Sequence, residues 1–109
     1  MQIRKAYQEI NPTLLYDEIK ELVLREGASL DQNRLETYSM PSDSSTFVYR
    51  GTLTFKIQGK EAIRAHIIGV DRGETRLILD ADDTLVSPDK LKTIEKDLDF
   101  MLGSYESKR

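Results

Sequence analysis

Cysteine and tryptophan are absent from the 109 residues, and histidine occurs once, at His66. The lack of thiols excludes disulfides, thiolate nucleophiles, iron–sulfur clusters and cysteine-built zinc sites. A single imidazole excludes a multi-histidine metal centre. Apolar runs such as Leu77-Ile78-Leu79 are short, whereas a membrane-spanning helix needs about 20 such residues. Met1–Glu9 has no apolar stretch of the signal-peptide kind. The phosphate-cradling patterns G-x-x-x-x-G-K-[ST] and G-x-G-x-x-G are missing, as is the G-x-S-x-G nucleophile turn. The chain is therefore expected to be cytoplasmic, free of membrane and cofactor, and not an enzyme.

What is abundant is charge. Charged residues make up 32% of the chain, above the ~25% of an ordinary domain. The signs nearly cancel, to −3, which argues against a bulk nucleic-acid binder. The 39% of apolar residues are clustered and periodic, so residues 1–109 are expected to form a single domain.

Two of the three prolines mark helix starts. Asn11-Pro12 and Ser87-Pro88 each place a polar cap before a proline, whose missing N–H costs nothing at the first helical position. Ile10 with Leu15, and Val86 with Leu91, can staple each start. The spacing predicts helices over Pro12–Glu26, with Leu15, Ile19, Leu22 and Val23 inward, and over Pro88–Leu102, with Leu91, Ile94, Leu98, Met101, Leu102 and Tyr105 inward. Ile3, Tyr7 and Ile10 suit either a loose arm or a short helix over residues 1–10. Residues 104–109 read as a disordered tail.

Between the helices the period falls to two. Phe47–Ile57 alternates with apolar odd positions, interrupted by Gly51, where a bulge or bend is expected. Ala62–Val70 and Thr75–Asp80 follow after turns at Gln58-Gly59-Lys60 and Asp71–Glu74. Arg34–Met40 is a weaker strand suited to an edge, and Pro41–Ser45 reads as the loop after it. Short turns force neighbours to be antiparallel. The expected fold is α+β, a two-layer sandwich: a four-stranded antiparallel meander with two helices on one face, in the order α-β-β-β-β-α.

Thr46–Leu79 carries six basic and three acidic residues, while both helices are net acidic. Alternation puts Arg50, Lys56, Arg64, His66 and Arg76 on the face away from the helices, together with Val48, Ile68, Val70 and Ile78. Because adjacent isoleucines cannot share one face of a regular strand, the sides taken by Ile67 and Ile68 are left open by the pattern. Val48, Arg50, Arg64, His66, Ile68, Val70, Arg76 and Ile78 are thus the candidate interface. The expected role is a small binding module, pairing as a homodimer or with a protein partner through this face. A nucleic acid or other anionic partner is the alternative. For RNA, Tyr38 is the one aromatic whose register could offer a stacking platform. Tyr7, Tyr16, Tyr49 and Tyr105 could line a cavity but read more simply as core and rim.

One local motif points elsewhere. Leu77-Ile78-Leu79-Asp80-Ala81-Asp82-Asp83-Thr84-Leu85 resembles the first signature of the haloacid dehalogenase superfamily, an apolar strand followed by D-x-D-x-T-L. The resemblance would make Asp80 a nucleophile and Asp82 a general acid/base, with both binding Mg²⁺ in a phosphohydrolase. It covers nine residues. Only 24 residues follow Leu85, too few for the parallel α/β domain that the superfamily builds after its signature. Asp80, Asp82 and Asp83 are expected to solvate a loop and favour the next helix's N-terminus, with loose divalent-cation binding as their metal role.

Overall fold

The computed structural model describes residues 1–70 and 73–106, and at 43–45 the backbone alone. It is an α+β fold with an antiparallel sheet, but the strands among the described residues number five. The order is β1 (Gln2–Gln8), α1 (Pro12–Arg25), β2 (Ser29–Met40), β3 (Asp43–Ile57), β4 (Lys60–Val70), β5 (Glu74–Ala81) and α2 (Pro88–Leu102). The sheet runs β1-β5-β4-β3-β2, and every pairing is antiparallel.

The segment expected as an arm or short helix is the extra strand. Gln2–Gln8 pairs with β5 from Gln2↔Asp80 to Gln8↔Glu74. Spacings of four suit a helix and a strand equally, since four is even, and a lysine interrupts the inward alternation Ile3-Lys5-Tyr7. Lys5 can face the helices because three carboxylates receive it: Asp99 at 3.1 Å, Glu106 at 3.4 Å and Glu95 at 3.8 Å. The expected tail is also partly ordered. Gly103–Tyr105 forms a 3₁₀ turn and Glu106 bridges to Tyr7; residues 107–109 lie outside the described ones.

The proline starts fold as read. Asn11 Oδ1 accepts from Thr13 N at 2.9 Å and Ser87 Oγ from Lys90 N at 3.2 Å, caps that contribute about 1 kcal/mol each. Helix α1 stops one residue early, at Arg25, with Gly27 in the left-handed region (φ +94°). Its last carbonyls are tied to the other helix, as Lys90 Nζ donates to Glu26 O at 3.0 Å. Both helices lie on one face of the sheet. Leu15, Ile19, Leu22 and Val23 of α1 join Leu91, Ile94, Leu98 and Leu102 of α2 over Leu53, Phe55, Ala65, Ile67, Leu77 and Leu79. Met101 and Tyr105, expected inward, are exposed, because Leu102 completes the buried stripe in their place.

Gly51 makes no bulge. Its register with Leu35 and Ile67 is continuous, and the shifts fall at Leu30/Gln32, Ser39/Met40 and Phe55/Lys56. The glycine instead admits Tyr16: a Cβ there would stand 2.8 Å from the ring. Gln58 and Gly59, both at positive φ, form the tight turn between Ile57 and Lys60. The expected loop over Pro41–Ser45 is shorter, since Met40 already pairs with Asp43. The turn read at Asp71–Glu74 includes two residues outside the described ones; within it, Gly73 N donates to Val70 O at 2.9 Å.

Candidate functional site

The sheet leaves its second face open, and register assigns its residues row by row. Glu36, Arg50, Ile68, Arg76 and Ala6 form one row across all five strands. Arg34, Thr52, His66, Ile78 and Arg4 form the next, and Gln32, Thr54, Arg64, Asp80 and Gln2 the one after. Tyr38, Val48 and Val70 form a shorter row at the other end. All eight interface candidates therefore stand on one surface. The choice between the adjacent isoleucines is settled: Ile67 is buried, while Ile68 is 47% exposed.

A shallow depression of ≈ 550 Å³ occupies the centre of this face, lined by His66, Ile68, Gly69, Val70, Glu74, Arg76 and Ile78. Val48 flanks it beside Val70, and Arg50 beside Ile68. Arg64 lies outside it, next to Asp80, and its Nη2 pairs with Glu61 at 3.0 Å. Tyr38 does stand on this face, and its hydroxyl donates to Glu36 at 2.7 Å. That bond holds the phenol above its ordinary pKa. Of the other tyrosines, Tyr7 and Tyr16 are buried in the core, whereas Tyr105 is exposed at the rim.

The face is less basic than the central strands alone imply. Arg4 and Arg34 join it from the outer strands, but so do carboxylates. Basic Arg4, Arg34, Arg50, Lys56, Arg64 and Arg76 meet acidic Asp31, Glu36, Glu61, Glu74 and Asp80 on the face or at its rim. Lys56 pairs with Asp31 at 3.5 Å and Arg76 with Glu74 at 2.6 Å. Asp31 reaches this position through the bulge after Leu30, where Thr54 Oγ1 accepts from Gln32 N at 3.0 Å. Sequence alternation alone missed Arg4, Arg34, Glu36 and Asp80. Their signal was even spacing: within Gln2–Gln8 for Arg4, within Gln32–Tyr38 for Arg34 and Glu36, and after Arg76 and Ile78 for Asp80.

The aspartate motif does not converge. Asp80 Oδ1 accepts from Gln2 Nε2 at 2.7 Å, and Asp83 Oδ1 pairs with the Met1 amino group at 2.8 Å. Asp82 Oδ1 accepts from Thr84 N and Oγ1, at 2.8 and 2.6 Å, and the Thr84 hydroxyl bond holds its carboxyl below the usual range. Each carboxylate thus serves a separate local partner, in a sheet whose described strands are all antiparallel. Among the described residues no group of histidine and carboxylate side chains is arranged to hold a metal ion, and no helix is long and apolar enough to cross a membrane. Compared with protein-family models, curated proteins and solved structures, the chain gives no match.

Proposed function

We propose that this chain is a non-enzymatic interaction module that binds a second copy of itself through the open face of the sheet. The observation that carries the reading is an apolar centre of Val48, Ile68, Val70 and Ile78 inside a border holding both signs of charge. Contiguous apolar surface with a polar rim favours a macromolecular contact. A border of mixed sign supports a second copy over a polyanion, because a uniformly basic face would repel itself. A two-fold rotation can bring the arginines of one copy towards the carboxylates of the other.

Light scattering after size exclusion tests this. Ile68→Glu with Ile78→Glu is expected to halve the mass in solution, since two charged carboxylates would replace the apolar centre that the contact buries. An unchanged mass removes the proposal. Association with nucleic acid that weakens steeply with salt would favour the anionic-partner reading instead.

A further inference from the structure

The two edges of the sheet are treated differently. At the β1 edge, Glu106 bridges to Tyr7 and its carboxylate pairs with Lys5. At the β2 edge no described residue pairs with the outer side of the strand. This strand has 12 residues, about twice the ordinary length. It carries no lysine or proline and is not short, so three of the usual protections of an edge are missing. Its bulges fall at Leu30/Gln32 and Ser39/Met40, so Gln32–Ser39 between them is regular and can accept another strand.

We propose that the β2 edge is a second self-association surface, pairing antiparallel with β2 of another copy about a two-fold axis at Leu35. The sequence across that axis is self-complementary. Arg34 falls opposite Glu36 of the second copy and Glu36 opposite its Arg34. Leu35, 38% exposed, meets its own symmetry mate on the helix side. Asn33 falls opposite Thr37. Opposite charges directly across an antiparallel pair stabilise it, and like charges destabilise it. Neither Arg34 nor Glu36 makes an ion pair with a described residue; Glu36 accepts only from the neutral Tyr38 hydroxyl among the described residues, so its charge is still uncompensated. The axis stands perpendicular to the sheet, so the two sheets join into ten strands with both open faces on the same side. The surface is separate from the open-face contact: where the edge axis, normal to the sheet, meets the in-plane open-face axis, the two contacts close on four copies, and losing either one leaves pairs.

Charge reversal tests the register. Arg34→Glu alone sets like charges opposite each other twice, and Glu36→Arg alone does the same with the other sign. Each variant is expected to show half the wild-type mass. An equimolar mixture of the two is expected to regain the wild-type mass, because every facing pair is then of opposite sign. Amide hydrogen exchange should slow across Gln32–Ser39 in the mixture relative to either variant. Single variants that keep the full mass would overturn the proposal, as would a mixture that stays at half mass. Repeating the mixture in the Ile68→Glu/Ile78→Glu background separates the two surfaces. Recovery there supports the edge without the open face; wild-type mass that responds only to the isoleucine substitutions rejects the edge.

Discussion

Replacing Tyr7 by phenylalanine is expected to stabilise the protein by about 1 kcal/mol at neutral pH and to move its alkaline unfolding to higher pH. Tyr7 is fully buried between β1, α2 and the C-terminal turn, and its hydroxyl makes no hydrogen bond with a described residue. A buried hydroxyl without a partner loses its hydration with no return. Burial, and then the charges of Glu106, Asp99 and Glu95, push its pKa above the ordinary 10.0. Between the unfolded and folded values the unfolded chain releases a proton that the folded protein keeps. Stability therefore declines above pH 10, by up to about 1.4 kcal/mol per pH unit.

Lys5 acts with the same sign. Burial opposes its charge, but the hydrogen bond to Asp99 and the charges of Glu106 and Asp99 outweigh it and raise the pKa above 10.5. Its contribution is complete below that value and is lost as pH rises through the folded pKa. Urea titrations of both proteins at neutral and alkaline pH check this. The phenylalanine variant should lose less stability on going alkaline. Equal losses would show that Tyr7 is not the group responsible.

Gly69→Val is expected to cost about 3 kcal/mol, the upper part of the range for overpacking a core. A Cβ at Gly69 would lie 2.3 Å from Thr75 Oγ1 and 2.7 Å from Pro12 Cγ. Neither neighbour can withdraw easily: Thr75 is fully buried, and Pro12 is locked by its ring at the first position of α1. Relieving the clash would lift the start of α1 from the sheet. Gly59→Ala is the contrast. Nothing lies within 4 Å there, but φ is +76°, so its cost is backbone strain of about 1 kcal/mol. Denaturant midpoints of the two variants should differ clearly; a valine at 69 tolerated as well as an alanine at 59 would contradict the packing account.

Much of the fold was legible because some signals were local. Asn11-Pro12 and Ser87-Pro88 fix helix starts without reference to the rest of the chain. Strands β3, β4 and β5 alternate because one face is buried along most of their length. The signal failed where tertiary partners overrode pattern. Lys5 points inward only because Glu95, Asp99 and Glu106, about a hundred residues later in sequence, meet it. Residues 29–33 gave no strand signal because β2 is exposed on both sides over most of its length and carries a bulge at Asp31. Gly51 looked like a break in β3, and only the Tyr16 ring explains it. Alternation within the central strands carries seven of the eight interface candidates to the open face, and register adds Ile68. The charge balance around them was not legible, because Arg4 and Arg34 come from strands that were missed or shortened.

The helix that carries the chain from one edge of the sheet to the other also sets a timetable for folding. Strand β1 is made first, but its ladder partner is β5, 66 to 78 residues away. Closing a loop of that length costs roughly 2.5 kcal/mol more than closing a four-residue turn. The hairpins β2–β3 and β3–β4 require no such closure, so the meander should nucleate and β1 should dock late. Ile3→Ala is then expected to accelerate unfolding and leave the refolding rate almost unchanged in stopped-flow measurements. A refolding rate that falls in proportion to the lost stability would place β1 in the nucleus instead. During synthesis Gln2–Gln8 leaves the ribosome long before its partner exists. Gln2, Arg4, Lys5 and Gln8 outnumber its apolar residues and keep that waiting strand soluble.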